Sequence, residues 1–224
     1  PSGTPTPPSA EAELPAMVLP LTNFVLNTAI DRFYLREIVI TNFIAATRID
    51  GGQVSVKPVQ LALNGAPVKG AADIDLGVPG YRYDVSLSAD RIPLEPLANS
   101  FSPDYRGRAQ GDLIANLQIK GAGTTGASLQ RNLTGAFGLA FTNANIQLVG
   151  AKTKQLVMPV ALFLGLNELL ESPLKWLAAQ GQMGQGKVQV STCHLATPAF
   201  VAGTHGEVAL AAVLTNSALS DWGV

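Results

Sequence analysis

The segment Tyr81–Arg91, YRYDVSLSADR, decides the fold class. Tyr81, Tyr83, Val85 and Leu87 fall on one parity and Arg82, Asp84, Ser86 and Ser88 on the other, and this period of two is that of a half-exposed β-strand. Upstream, Val68, Ala72, Ile74 and Leu76 alternate with Lys69, Ala71, Asp73 and Asp75, and Gly77–Gly80 (GVPG) supplies a turn, so the two runs read as a hairpin. Further back, Val54 and Val56 share one parity and Val59, Leu61 and Leu63 the other. The phase changes at Lys57-Pro58, where a bulge is expected. Asn64-Gly65 is a strong turn pair. Residues 38–49 are apolar on both parities, which suggests a strand covered on both sides or interrupted, closed by the turn at Asp50–Gly52.

Downstream, Leu113, Leu117 and Ile119 oppose Asp112, Asn116, Gln118 and Lys120, and Phe137, Leu139 and Phe141 oppose Ala136, Gly138 and Ala140. Val188 and Val190, then Val208, Leu210, Ala212 and Leu214, repeat the alternation, which makes at least eight strands. Helical spacing is short at Ile92–Phe101 and Leu129–Leu133. It is longer only near 156–170, where Val160, Phe163, Leu164 and Leu170 recur; Pro173 breaks that run, and Trp176 and Leu177 fit a second short helix. The expected fold is mainly β: a curved, largely antiparallel sheet, open and groove-like or sandwich-like, with few short helices and one longer one. Residues 1–20, with six prolines, read as an extended, poorly packed linker, 21–215 as the β domain with a helical insertion at 153–180, and 216–224 as a tail.

Composition narrows the function classes. Across 224 residues only 14% are charged, against about 25% in an average protein, and the net charge is −1. No basic excess recommends nucleic acid. The single cysteine, Cys193, forms no internal disulfide. Cys193 and His194 are neighbours on a strand and point to opposite faces, so they make no nucleophile pair. Neither CxxC nor HExxH occurs, so no metal site, cofactor or catalytic residue is expected. Asp73 and Asp75 read as a solvated strand face, and Gly121–Gly126 (GAGTTG) as a turn without the lysine of a phosphate loop. Carbohydrate binding wants exposed aromatics, yet aromatics make up 6% and Trp176 and Trp222 lie outside the expected strands.

The order of these features resembles the C-terminal region of the AsmA family of bacterial envelope proteins, over residues 20–215. The resemblance rests on Gly107 and Gly111 ahead of an alternating strand, the Gly121, Gly123 and Gly126 run, the short helix at Leu129–Leu133, Leu133–Phe137 (LTGAF), and a closing strand pair with Thr197, Pro198 and Phe200 between its strands and Gly206 opening the last. It implies a non-enzymatic lipid-binding and lipid-transfer module on the periplasmic face of the inner membrane, with its membrane anchor on a segment not present in this chain. Phospholipid or another acyl-chain lipid is the implied ligand, and an envelope protein a possible partner. The candidate groove residues are Val54, Val56, Leu61, Leu63, Tyr81, Tyr83, Val85, Leu87, Leu113, Leu117, Ile119, Phe137, Leu139 and Phe141. The same face could instead form a closed core against the 156–170 helix, and the domain could instead be an interaction scaffold for outer-membrane protein assembly, pairing clients at exposed sheet edges.

Overall fold

The computed structural model describes residues 12–101, 106–107, 109–146, 174–198 and 201–209. Ten strands follow one another in space as in sequence, and every neighbouring pair is antiparallel. They are β1 (Phe24–Leu35), β2 (Ile38–Asp50), β3 (Gln53–Leu63), β4 (Ala66–Asp75), β5 (Arg82–Pro93), β6 (Ala109–Ala122), β7 (Thr134–Ile146), β8 (Trp176–Gly184), β9 (Lys187–Ala196) and β10 (Val201–Ala209). Among the described residues two short helices interrupt the meander, α1 (Leu94–Phe101) after β5 and α2 (Gly126–Asn132) after β6. The mainly β, antiparallel expectation holds, in its open single-sheet form and not as a sandwich.

Turn chemistry accounts for the tight connections. Asn64 and Gly65 both adopt positive φ, 49° and 85°, the pairing that a two-residue hairpin turn needs to match strand twist. The phase slip at Lys57-Pro58 is a bulge, where the β3–β4 register steps between Val56 and Val59. The interruption in residues 38–49 is a register step between Thr41 and Ile44, with Asn42 at φ 53°. The hairpin read around GVPG is β4–β5, with Ile74 opposite Tyr83 and Ala72 opposite Val85.

Three expectations are corrected. Trp176 and Leu177 open strand β8, not a helix, so the helical insertion expected at 153–180 does not extend over residues 176–180, and Trp176 does not lie outside the strands. The short run WLAAQ is rich in helix formers, but pairing with β7 and β9 on both sides outweighs that weak preference. Second, residues 12–20 are extended but not poorly packed. Met17 N donates to Leu76 O at 2.7 Å, Leu19 N to Gly51 O at 3.2 Å, and Gly80 N to Leu14 O at 2.8 Å, so the segment forms a strap across the turn ends of β2–β5. Third, Tyr81 precedes β5 in the turn, at φ 55°, and is not part of the strand. The 156–170 helix, residues 1–11 of the linker and the 216–224 tail lie outside the described residues.

The fully buried cluster is small and sits at one margin: Ala66, Val68, Ala89 and Ile92, packed by Leu61, Leu63, Leu113, Ala115 and Leu97 of α1. Helix α1 therefore lies on the apolar face and reaches the β1–β2 turn. There Glu37 N donates to Ser100 Oγ at 3.2 Å, and Arg106 pairs with Glu37 at 2.7 Å. Ile92 is 6% exposed whereas Leu87, further along the same face, is 40% exposed. Ile92→Ala should cost about 2–4 kcal/mol in urea unfolding, while Leu87→Ala should cost under about 1.5 kcal/mol; equal costs would show that both side chains sit in one closed core.

Candidate functional site: the apolar face

Residues directly opposed in an antiparallel ladder share a face. One rung runs through all ten strands: Leu26, Thr47, Val56, Ala72, Val85, Ile119, Gly135, Met183, Val188, Val208. The next is Thr28, Ala45, Val59, Gly70, Leu87, Leu117, Phe137, Gly181, Val190, Gly206. Toward the strap, Val54 stands opposite Ile74, Ile74 opposite Tyr83, and Tyr83 opposite Gly121. Toward α1 come Leu61 and Leu139, then Leu63, Leu113 and Phe141, in rungs carried by the same ladders. Thirteen of the fourteen candidate residues thus lie on one continuous face, and Tyr81 alone does not. The face also takes in residues that alternation in a single strand did not reveal: Leu177, Ala179 and Met183 of β8 and Cys193 and Leu195 of β9.

None of the thirteen is fully buried. Leu87 and Leu139 are 40% and 39% exposed, and the other eleven are half-buried by lateral neighbours. Among the described residues, helix α1 covers the margin beyond Ala89 and no second sheet lies over the rest. Ile92 and Ala89, next to α1, are below a tenth exposed, and so on this same face are Ala45, Val188 and Leu195.

The opposite face is polar and carries its own electrostatics. Asp73 and Asp84 stand directly opposite each other, a repulsive placement on a sheet. Each is answered by a lysine: Lys57 reaches Asp73 at 2.8 Å and Lys120 reaches Asp84 at 2.7 Å. The hydrogen bond from Lys57 holds the Asp73 carboxyl below its usual range, and the bond to Asp84 raises the Lys120 ammonium. All four groups are exposed, so the row orders a solvated surface and adds little stability. A shallow hollow of about 360 Å³ also lies on this side, lined by Lys69, Ala71, Ser86, Ser88, Asn116, Gln118, Ala136 and Gly138. Gly70, Leu87, Leu117 and Phe137 border it as well; Leu87, Leu117 and Phe137 direct their side chains to the other face, so all four present backbone to it.

Cys193 and His194 do occupy opposite faces, with Cys193 opposite Ala179 and His194 opposite Ala178. Burial pushes the Cys193 thiol up, away from the thiolate a nucleophile needs. His194 stacks on Trp176 at 6.3 Å between ring centroids. No group of three metal-ligating side chains occurs among the described residues, and none of their helices is long and apolar enough to cross a membrane.

The strap makes the second margin of the apolar face. Glu13 accepts from Thr124 N at 2.6 Å, Thr124 Oγ1 at 2.9 Å and Thr125 Oγ1 at 2.9 Å, and Gly123 N donates to Gly80 O at 2.8 Å just beneath it. Hydrogen bonds, Ser128's first and then the Thr124 amide's, lower the Glu13 carboxyl to about 2. Thr125 caps α2, accepting from Ser128 N at 3.2 Å, so the same turn orients both the helix and the carboxylate's donors.

Compared with known proteins, residues 19–193 match the model of the AsmA family. That family is associated with the bacterial envelope and is not known as an enzyme family. A comparison with curated proteins finds no match, and neither does one with solved structures.

The strap's anchor has a defined pH response. The Glu13 carboxyl titrates lower in the folded chain, about 2, than its ordinary 4.5. The carboxylate's share of the attachment is therefore complete above pH 4.5 and is lost as pH falls toward 2, while the backbone bonds remain. The carboxyl chemical shift should titrate with a midpoint near 2, and Glu13→Gln should speed amide exchange at Thr124 and Gly80 at neutral pH. A midpoint near 4.5 would mean that the carboxylate is solvated and that backbone bonds alone hold the strap.

Proposed function

The chain belongs to the AsmA family, and from that premise we propose that it is a non-enzymatic lipid-binding and lipid-transfer module, shielding phospholipid acyl chains between the inner and outer membranes. The observation that carries this reading is the apolar face itself: thirteen large or aliphatic side chains in continuous rungs on a single-layer sheet, half-exposed, between margins made by α1 and by the strap. Soluble proteins seldom leave so large a contiguous apolar surface unless something occupies it. Adjacent strands lie about 4.8 Å apart, so nine steps give the floor a length of ~43 Å across the strands. An acyl chain spans about 15 Å, half a bilayer's hydrocarbon core. Chains can lie end to end along the rungs, and no hydrogen bond has to break as one slides. Each methylene shielded contributes about 0.8 kcal/mol. Headgroups stay hydrated beyond the margins, and the module works at the periplasmic face of the inner membrane.

A second reading draws on β1. Among the described residues it pairs only with β2, and Val25, Leu26, Tyr34 and Leu35 on it are exposed, Tyr34 at 64%. An unpaired, apolar edge accepts a strand from a partner, which suits a scaffold for outer-membrane protein assembly.

Native mass spectrometry of the purified chain after incubation with phosphatidylethanolamine–phosphatidylglycerol vesicles, with an organic extract analysed alongside, tests the first reading. Stoichiometric lipid is expected. Leu117→Asp should lower it more than tenfold, since placing a carboxylate against the chain costs above about 1.4 kcal/mol, with circular dichroism unchanged. A lipid-free wild-type chain would sink the lipid reading, and unfolding of Leu117→Asp would show a closed core. Val25→Lys separates the alternatives: an outer-membrane assembly defect from that variant, and not from Leu117→Asp, would favour the scaffold.

A further inference from the structure

Two aromatic rings of the apolar face do not stand up from the sheet. Tyr83 is directly opposite Gly121, and Phe137 directly opposite Gly181. A Cβ added at Gly121 would come within 2.5 Å of the Tyr83 hydroxyl oxygen and 2.6 Å of its Cε2 and Cζ. At Gly181 it would come within 2.7 Å of Phe137 Cζ and 2.8 Å of Cε1. Each ring therefore occupies the place of its partner's missing side chain and lies flat along the rung. A glycine inside a strand weakens it, and an aromatic laid across it restores the lost contact. Neither glycine is in the left-handed region, so neither is there for backbone conformation.

The Tyr83 hydroxyl has no hydrogen-bond partner and its oxygen is shut off from solvent. Packing over the glycine, and no polar tether, holds this ring down. Leu87 leans the same way, with its Cδ1 3.7 Å from where a Cβ of Gly70 would be.

We infer that Tyr83 and Phe137, folded over Gly121 and Gly181, set the clearance above the apolar floor and so determine which acyl chains it takes. This rests on the lipid reading above. With both rings down the floor is low and even enough for a cis-unsaturated chain, whose kink needs width. With a ring raised, only straight saturated chains pass. Gly121→Ala raises one ring selectively, because the three atoms nearest the new methyl all belong to the movable Tyr83 side chain. At Gly181 the backbone carbonyl of Gln189 stands closer still, so substitution there would disturb the sheet itself.

The test loads the wild-type chain, Gly121→Ala, Tyr83→Ala and the double variant from vesicles holding equal dipalmitoyl and dioleoyl phosphatidylcholine, and reads both lipids by native mass spectrometry. Gly121→Ala should lower the dioleoyl-to-dipalmitoyl ratio roughly fourfold, the equivalent of one methylene of contact. The double variant should return it to the wild-type value, and Tyr83→Ala, which leaves Gly121 intact, should raise it even if Gly121→Ala fails to fold. A ratio unchanged in Gly121→Ala and Tyr83→Ala, or a loss that the double variant does not restore, overturns this inference and leaves the lipid reading standing. A wild-type chain that takes neither lipid overturns the lipid reading itself.

Discussion

Facing alternation in an antiparallel ladder is the constraint on which the rest of the structure depends. Because opposed residues share a face, a single slip of register would send Val85, Leu117 and Phe137 to the polar side and Asp84, Gln118 and Ala136 to the apolar one. The bulges between Val56 and Val59 and between Ala89 and Ile92 absorb extra residues so that the apolar rungs continue from strand to strand. They let strands of nine to fourteen residues stay in phase across one sheet.

The two margins stabilise the sheet by different means. At one, α1 closes a small packed cluster over Ala89 and Ile92 and bonds to the β1–β2 turn through Ser100 and Glu37. At the other, little is buried: the strap is held by backbone hydrogen bonds to Gly51, Leu76 and Gly80 and by the Glu13 carboxylate on Thr124 and Thr125. Between them, among the described residues, lateral contacts between neighbouring strands support the apolar floor. Its aliphatic side chains brace one another along the rungs, and Tyr83 and Phe137 are braced by glycines. The sheet's coherence and its capacity for an apolar ligand therefore come from the same residues. Cover over that floor would convert it to ordinary core and end its use as a binding surface.

Much of this was legible along the chain, for local reasons. Asn64-Gly65 announces a hairpin because few other pairs tolerate positive φ at both positions. Lys57-Pro58 announces a bulge because proline has no N–H to give a ladder. Thirteen of fourteen candidate residues reached one face because period two survives wherever one side of a strand is apolar. Tyr81 was lost because a left-handed residue breaks the parity count. Strand β8 was misread because WLAAQ has no polar-apolar alternation, although Gly181 and Gly184, three residues apart, argue against a helix. Strand β1 was not singled out because FVLNTAIDRFYL is apolar on both parities, as an edge strand exposed on both faces can be.

By itself the sequence determined the strand class, most turns, the apolar parity of each central strand and, through the order of its glycines and strands, the family. These follow from dihedral preference and side-chain period, which act over a few residues. Only the tertiary structure decided that the separate parities join into one face, that the face is left half-exposed, that residues 12–20 strap one margin, and that Tyr83 and Phe137 lie over glycines. Each depends on register between strands or on contacts such as Glu13 with Thr124, 111 residues apart. Local propensity carries no information about partners at that separation.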